Sequence, residues 1–334
     1  MSSMKIAQYI DIPVTRRAGG VGTYIKSLTR EFVRLGHDVV IIDGFNRPKL
    51  FSNRHLVKVC KSANIHHFHE PSSALLTSYI ATISKPINIV ITFHAPVSSR
   101  PLESFYSLFM RLLYRKAHLI LTTTKRNAEY LKQKKIRACI IPLWADEFFK
   151  PADSNRYLRE PYVLSVCAVD KFHRYKNYRM LSKLGKILKE KFNVTLIHVG
   201  VHDFDLPWVN HYGPVDRQTL RYLYQKALAL ILPSIGPYEG FGIVAAEALA
   251  CATPVLVSDG CGISEFLDSY FVSPLLNFEK KLCLMVKDLF SNPHPLIDKA
   301  YRESLKFSYE NCRKTVKLIL SSANHDLGYG KGKL

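Results

Sequence analysis

The sequence predicts an α/β protein of two domains, and three observations support this. Short apolar segments alternate with segments of helical period along most of the chain, which is typical of parallel sheets built from βαβ units. The length of 334 residues suits two domains of about 150 residues each. A polar stretch at 152–160 suits a hinge between domains over 1–150 and 151–300. We expect an amphipathic helix within 301–322, which crosses back to the first domain, and a disordered tail over 323–334.

The first domain begins with a strand and a glycine-rich turn. An apolar strand at 5–10 precedes Gly19, Gly20 and Gly22, and a helical pattern over 23–35 follows them. A glycine turn between a strand and a helix can hold a phosphate group on backbone N–H groups. Further apolar strands are predicted at 38–42, 64–68, 88–92, 118–122 and 139–141.

The composition is that of a globular protein without a membrane span. Hydrophobic residues make up 47% and charged residues 22% of the chain, and no apolar run approaches the ~20 residues that a span requires. The N-terminus lacks the pattern of a signal peptide. The seven cysteines are odd in number and form no C-x-x-C pair. We therefore expect a cytoplasmic protein with reduced cysteines.

The positive charge is unevenly distributed. Residues 1–150 carry 23 lysines and arginines against 9 aspartates and glutamates, which gives an excess of 14 out of the net +20. Six of these cations lie within 125–137, where Glu129 is the only acidic residue. Such an excess implies an acidic partner for the first domain, which is an anionic membrane surface, nucleic acid or a phosphorylated acceptor. We expect a membrane surface, at the inner face of the membrane, rather than nucleic acid.

The most informative stretch is 227–250. An apolar run at 227–232 reads as a buried strand, a loop rich in glycine follows, and helix formers continue after Gly242. This junction directs backbone N–H groups and a helix N-terminus toward a ligand, for which phosphate is the natural choice. Glu239 in the loop and Glu247 in the helix supply carboxylates that can accept hydrogen bonds from sugar hydroxyls.

The block EGFGIVAAE, with seven residues between its glutamates, resembles the donor-site signature of glycosyltransferase family 4. The preceding LPS and the later segment TPVLVSDGCGISE follow in the family's order. The resemblance implies the GT-B fold, in which two Rossmann-like domains face each other across a cleft. It further implies a retaining transferase that uses a nucleoside diphosphate sugar.

The resemblance assigns donor contacts to the second domain. Glu247 is expected on the ribose, and Glu239 with the amides of the glycine loop on the sugar. Lys176 fits the family's diphosphate lysine, but Cys167 and Ala168 stand where the family has a Gly-Arg pair, so Lys171 or Arg174 would supply the second cation. The complete set of donor-binding residues is Gly19, Gly20, Gly22, Lys171, Arg174, Lys176, Ser234, Glu239, Gly240, Phe241, Gly242, Glu247 and Glu265.

His94 is the first-domain residue that the resemblance places at the reacting sugar, and with Glu239 it forms the predicted catalytic pair. His66, His67 and His69 lie at the end of another strand, but the sequence places no third ligand for a zinc ion there. Asp203 and Asp205 match a metal-binding D-x-D motif of a different fold, and we interpret them as a solvated loop. We therefore expect no metal and no cofactor other than the donor substrate.

We expect this protein to move a hexose-type sugar to a hydroxyl of a glycan or lipid-linked acceptor. A sugar-nucleotide epimerase of the same fold, a non-catalytic nucleotide-binding protein and a nucleic-acid-binding protein remain alternatives. The first would isomerise the donor without an acceptor, the second would bind nucleotide without turnover, and the third would bind nucleic acid with strong salt dependence.

Overall fold

The computed structural model shows a chain of two compact units, each built on a parallel sheet. Unit 1 is formed by residues up to 142 together with residues from 310 onward, and unit 2 by residues 143–309. The residues described are 3–10, 20–42, 61–70, 88–94, 114–153, 157–168, 174–203, 206–236 and 239–323.

Within the described residues, the strands are β1 (Lys5–Tyr9), β2 (Asp38–Ile42), β3 (Ile65–Glu70), β4 (Ile89–Phe93), β5 (Leu119–Thr122), β6 (Cys139–Ile140), β7 (Glu160–Val166), β8 (Thr195–Val199), β9 (Val209–His211), β10 (Ala227–Leu232), β11 (Val255–Ser258) and β12 (Val272–Ser273). The helices in the same part of the chain are α1 (Gly20–Arg34), α2 (Lys125–Gln133), α3 (Tyr178–Phe192), α4 (Arg217–Lys226), α5 (Ile243–Ala250), α6 (Phe278–Ser291), α7 (Pro293–Ser304) and α8 (Glu310–Ala323).

In the part of the chain that the structure describes, each unit contains a six-stranded sheet whose strand pairs are all parallel. The order is β2-β1-β3-β4-β5-β6 in unit 1 and β9-β8-β7-β10-β11-β12 in unit 2. Counted from β7, unit 2 has the 3-2-1-4-5-6 order of a doubly wound nucleotide-binding domain, whose strand order reverses between β7 and β10. The α/β fold class predicted from the sequence is confirmed.

The central strands are buried on both faces, as parallel strands covered by helices must be. Every residue of β4 and β10 is buried, and both strands consist of apolar or small residues apart from Thr92. Helix α1 covers the sheet of unit 1 with Tyr24, Ile25, Leu28 and Phe32, which follow its helical period. Burial of this kind is the main source of stability in such units.

The boundary between the units lies eight residues before the predicted one. The segment 143–149 packs on unit 2: the Ala145 amide donates to the Phe307 carbonyl at 2.9 Å, and Arg217 pairs with Asp146 at 3.1 Å. Polar composition alone placed the boundary at 150, whereas these contacts bind the preceding turn to the second unit.

Three details of the secondary structure differ from prediction. Helix α1 starts at Gly20, three residues earlier than predicted. The helical pattern over 301–321 is two helices, because α7 ends at Ser304 and α8 starts at Glu310. Between them, Phe307 packs against Phe241 and Phe266. The short strands β9 and β12 were not predicted.

Helix α8 belongs to unit 1, where it packs against α1. The structure therefore has the last helix in contact with the first unit, although the chain reaches it from the second. Several predictions fall outside the described residues: Gly19, Lys171, Asp205 and the tail from 324.

Candidate functional site

The junction between β10 and α5 lies beside the point where the strand order of unit 2 reverses. Gly242 precedes the helix with φ +92°, a left-handed conformation that glycine adopts without strain. A Cβ at this position would lie 3.0 Å from Leu232 Cδ2. Gly242 is the N-cap residue of α5 and has no side chain with which to cap the helix, and within the described residues the first backbone N–H groups of α5 are therefore suited to an anion.

Lys176 and Glu239 form an ion pair at this junction. The Nζ atom of Lys176 contacts Oε2 of Glu239, and the two side chains are only 13% and 10% exposed. The Ser234 hydroxyl donates to the same oxygen at 3.2 Å. Burial by itself lowers the pKa of Lys176, but the attraction of Glu239 outweighs it and the net shift is upward. The lysine is therefore firmly charged.

The turn that carries Lys176 is attached to the β10 loop by two hydrogen bonds. The Ile235 amide donates to the Tyr175 carbonyl at 2.7 Å, and Asn177 Nδ2 donates to the Pro233 carbonyl at 3.1 Å. Asn177 has a left-handed conformation with φ 60°, which its type tolerates. Arg174 lies at the exposed start of the same turn. Arg174 thus belongs to the same short turn as Lys176, but its side chain is exposed to solvent.

Glu247 is buried in α5 and is held by a residue that sequence reasoning missed. The Tyr224 hydroxyl donates to Glu247 Oε2 at 3.1 Å, and Tyr224 is completely buried. Burial raises the pKa of Glu247 to about 7, against the effect of the Tyr224 hydrogen bond and of Arg217. Tyr224 lies 23 residues away in α4, and its helical pattern indicated only packing.

The rest of the glycine loop is fixed by the loop after β11. The Gly262 amide donates to the Glu239 carbonyl at 3.2 Å, and the Ile263 amide to the Phe241 carbonyl at 2.7 Å. The Phe241 side chain is buried against Phe266 and Phe307. A ligand bound at the glycine loop would therefore meet the backbone of Phe241 and not its side chain. Gly240 is half-buried in the loop.

Glu265 lies half-buried in the 3₁₀ turn Gly262–Phe266, in the same loop after β11. Cys167, where the resemblance expects a Gly-Arg pair, directly follows β7 and offers no charge, because burial raises the pKa of its thiol to about 11. Among the described residues, the fixed cation of this junction is therefore Lys176.

In unit 1, His94 directly follows β4 and belongs to a buried cluster of polar rings. His67 and His69 lie on one face of β3, and the His69 and His94 rings are stacked with centroids 5.7 Å apart. The edge of the Tyr24 ring meets His94 at 5.2 Å. Burial lowers the pKa of His94 to about 4 and that of His67 to about 3. These imidazoles are therefore neutral near pH 7.

The histidines of β3 lie within the strand, whereas the sequence placed them at its end. His66 points to the other face, where its Nδ1 lies 2.9 Å from the Tyr9 hydroxyl. Gly20 and Gly22 lie in the first turn of α1, and Gly22 is buried. Among the described residues, no group of three or more histidine, cysteine or acidic side chains is arranged to hold a metal ion.

The fold resembles that of solved sugar-transferring enzymes. The catalytic domain of starch synthase IV from Arabidopsis thaliana, solved with ADP and acarbose, superposes with a TM-score of 0.65 over 97% of this chain and 100% of that chain, at 10% identity. A trehalose-phosphate synthase from Burkholderia xenovorans, solved with glucose-6-phosphate, gives 0.67 over 96% and 100%, at 12% identity. These similarities define the GT-B class of fold.

Sequence comparison points in the same direction. Residues 147–279 match the profile of the family described as glycosyl transferases group 1. The O-antigen chain mannosyltransferase RfbU of Salmonella typhimurium is 34% identical over 113 residues, which are 30% of each chain. The O-antigen chain mannosyltransferase B of Escherichia coli is 30% identical over 108 residues, 31% of this chain and 28% of its own. The match thus spans less than a third of these two relatives.

No helix within the described residues is long and apolar enough to cross a membrane.

Proposed function

We propose that this protein is a retaining glycosyltransferase that moves a hexose-type sugar from a nucleoside diphosphate sugar to a hydroxyl of a glycan or lipid-linked acceptor. One observation carries the proposal: a buried Lys176–Glu239 pair lies beside the uncapped start of α5, at the strand reversal of unit 2. Ligands of doubly wound sheets bind at this position.

Lys176 is suited to a diphosphate. It is charged, and Glu239 and the turn 174–177 hold it in place, so a phosphate oxygen meets a cation that has already lost much of its water and freedom. The start of α5 adds backbone donors and the positive end of a helix dipole. Because these groups stabilise the leaving diphosphate, we propose that transfer requires no divalent metal.

The two glutamates are suited to hydroxyl groups. Ser234 and Lys176 both contact Oε2 of Glu239, so among the described residues Oε1 is left to accept from a sugar hydroxyl. Tyr224 likewise contacts Oε2 of Glu247 and leaves its Oε1 for the ribose. Gly240, Phe241 and Gly242 contribute backbone groups, Arg174 is available as the second cation, and Glu265 lies in the neighbouring loop.

The decisive experiment is a thermal-shift and calorimetry panel of UDP, GDP, ADP and their sugars, with EDTA or Mg²⁺. A ligand at 100 times its dissociation constant adds about 2.7 kcal/mol of stability. Glu247→Ala should weaken nucleotide binding by about 1 to 3 kcal/mol. Glu303→Gln is the matched control, since Glu303 is a buried carboxylate of unit 2 that accepts from the Asp268 amide, in another part of the chain. Unchanged affinity in Glu247→Ala would refute the donor-site assignment.

Product analysis separates transfer from its alternatives. NMR of the product should show an unchanged anomeric configuration once an acceptor is supplied. Isomerised donor without any acceptor would indicate an epimerase, and binding without turnover on any acceptor pool would indicate a silent binding protein. Activity that disappears in EDTA and returns with Mg²⁺ would contradict metal independence.

We also propose that unit 1 meets an anionic membrane surface through α2 and the turn after it. Lys125, Lys132, Lys135 and Arg137 are exposed there, and each cation near an anionic surface contributes about 1 kcal/mol. Flotation with phosphatidylglycerol vesicles should retain the protein at low salt, and phosphatidylcholine vesicles should not. Equal retention on both would contradict the electrostatic attraction.

A further inference from the structure

We propose that His69 and Gln8 are positioning residues that hold His94 in a single tautomer, with hydrogen on Nε2 and a lone pair on Nδ1. In this tautomer Nδ1 accepts a hydrogen bond from a sugar hydroxyl. The last step rests on the proposed function, whereas the tautomer follows from the hydrogen bonds of unit 1 alone.

The chain of hydrogen bonds starts at a backbone carbonyl in α1. Thr29 Oγ1 lies 2.9 Å from the Ile25 carbonyl oxygen, one helical turn earlier. A carbonyl oxygen can only accept, so the threonine must donate its one hydrogen there. Gln8 Nε2 lies 2.7 Å from the same Oγ1 and must therefore be the donor to it. This fixes the orientation of the Gln8 amide, with Oε1 as an acceptor toward β3.

The amide in turn fixes the two imidazoles. His69 Nε2 lies 3.2 Å from Gln8 Oε1, so the His69 hydrogen is on Nε2. Burial keeps the pKa of His69 well below its ordinary value, so the ring is neutral and its Nδ1 is a lone pair. His94 Nε2 lies 3.4 Å from this nitrogen and must donate to it. His94 is neutral as well, so its Nδ1 carries no hydrogen.

The surroundings hold this chain in place. Gln8 and His69 are completely buried and His94 is 8% exposed, so neither tautomer nor amide can exchange its partners with water. The Tyr24 ring meets His69 and His94 edge-on, at interplanar angles of 81° and 83°. Asn127 Nδ2 donates to the His94 carbonyl at 2.8 Å and fixes the backbone.

The side chain at position 8, at the other end of this chain of hydrogen bonds, determines whether His94 can act as a base. A carboxylate at position 8 would stabilise a charged imidazolium, as in catalytic His–Asp pairs. The neutral amide of Gln8 gives no such stabilisation, and the described rings in contact with His94 are the uncharged Tyr24 and His69. His94 is therefore an acceptor of hydrogen bonds rather than a proton-abstracting base. It favours a ligand hydroxyl over a group such as fluorine that cannot donate.

The tautomer can be measured directly on the full chain. Two-bond ¹H–¹⁵N correlation spectra of ¹⁵N-histidine protein should show His94 and His69 with protonated Nε2 and unprotonated Nδ1. The His94 signals are assigned by their loss in His94→Gln. A proton on Nδ1 of either residue would overturn the proposal, and this result does not depend on any substrate.

Variants then test the positioning. Gln8→Leu removes the acceptor, so the signals of His69 and His94 should move toward a mixture of tautomers. Gln8→Glu keeps an acceptor oxygen, so Nε2 of His69 should remain protonated in this variant. His66→Phe is the matched control, because His66 lies on the opposite face of the same strand, and it should leave His94 unchanged. An unaltered His94 spectrum in Gln8→Leu would contradict the role of Gln8.

Kinetics separate this proposal from the proposed function. If the protein transfers sugar, Gln8→Leu should lower kcat/KM about tenfold with the hydroxyl-bearing donor and much less with the deoxyfluoro analogue, whose fluorine cannot donate a hydrogen bond to His94 Nδ1. Equal losses for both donors would contradict the positioning role. A protein without any transfer activity would refute the proposed function but leave the tautomer measurement intact.

Discussion

The two units carry opposite chemistry at the ends of their central strands. In unit 2, a charged lysine and glutamate face each other with little exposure. In unit 1, the corresponding region holds neutral imidazoles and an amide. Both arrangements are buried, yet one keeps charge by pairing it and the other removes charge by lowering the pKa of its rings.

This difference indicates that the two regions are suited to different chemical groups. A paired lysine beside a helix start is suited to an anion such as a diphosphate, whereas neutral rings are suited to uncharged hydroxyl groups. The difference also makes the two units respond in opposite ways to pH and to loss of a partner. The following predictions use these responses, from the largest expected effect to the smallest.

Acidification should destabilise unit 1 more than unit 2. In unit 1, burial lowers the pKa of His66 and His94 from 6.5 to about 4 and that of His67 to about 3. In unit 2, burial lowers the pKa of His198 to about 4. Below pH 6.5 these histidines bind protons in the unfolded chain but remain neutral in the folded one. The free energy of unfolding therefore falls as the pH drops toward 4. Each shift of this size corresponds to about 3 kcal/mol.

The measurement is urea unfolding between pH 7.5 and 4.5, with hydrogen exchange resolved by peptide and corrected for intrinsic rates. Peptides covering β3 and β4 should lose protection before those covering β10 and α5. Equal losses in both units would mean that the buried histidines do not distinguish them.

Lys176→Met should damage unit 2 both in stability and in binding. Glu239 would remain buried without its partner, and breaking such a pair costs about 3 to 5 kcal/mol. The double variant Lys176→Met/Glu239→Gln should recover most of the unfolding free energy but not the affinity for nucleotide. Recovery of both would show that Lys176 has no role toward a diphosphate.

Glu247→Gln should stabilise the protein at pH 8. The folded pKa is raised to about 7 from 4.5, so the carboxyl group favours the folded state below pH 4.5 and this stability is lost as the pH rises through 7. Removing the ionisation should therefore add up to about 3 kcal/mol at pH 8 and almost nothing at pH 4.5. Urea unfolding at the two pH values tests the sign. A loss at pH 8 would mean that Glu247 is better solvated than its position indicates.

Gly242→Ala and Gly36→Ala form a matched pair. Both glycines have left-handed backbones, with φ +92° and +85°, so each substitution should cost about 1 to 2 kcal/mol. A Cβ at Gly242 would press on Leu232, whereas nothing lies within 4 Å of one at Gly36. Gly242→Ala alone should also weaken nucleotide binding, because its strain moves the loop. Weakened binding in Gly36→Ala would indicate a global rather than a local effect.

The sequence predicted most of the fold because its strands are short, apolar and fully buried. The bounds of β2 and β10 agree with the apolar runs at 38–42 and 227–232. Patterns failed where a distant contact competed with local preference. The helical period over 301–321 did not reveal that Phe307 would pack on Phe241 and divide the helix.

The candidate site divides in the same way. Glycines, glutamates and Lys176 were recognisable because their chemistry lies in a continuous motif. In the sequence, Tyr224, which donates a hydrogen bond to Glu247, could not be distinguished from a core tyrosine. Gln8 was a single polar residue within an apolar strand, with no sign of its contact to His69. A hydrogen bond between residues 61 positions apart leaves no local pattern in a single sequence.

The sequence by itself determined the α/β class, the strand, loop and helix around Glu239, and the chemical types available for a phosphate and for hydroxyl groups. These follow from local properties: hydrophobic period, glycine and the charges of side chains. Only the tertiary structure decided that Lys176 pairs with Glu239 and that Glu247 accepts a hydrogen bond from Tyr224. It also decided that hydrogen bonds connect His94 through His69 to Gln8. Pairing and protonation depend on which side chains share a buried volume, and folding alone brings those side chains together.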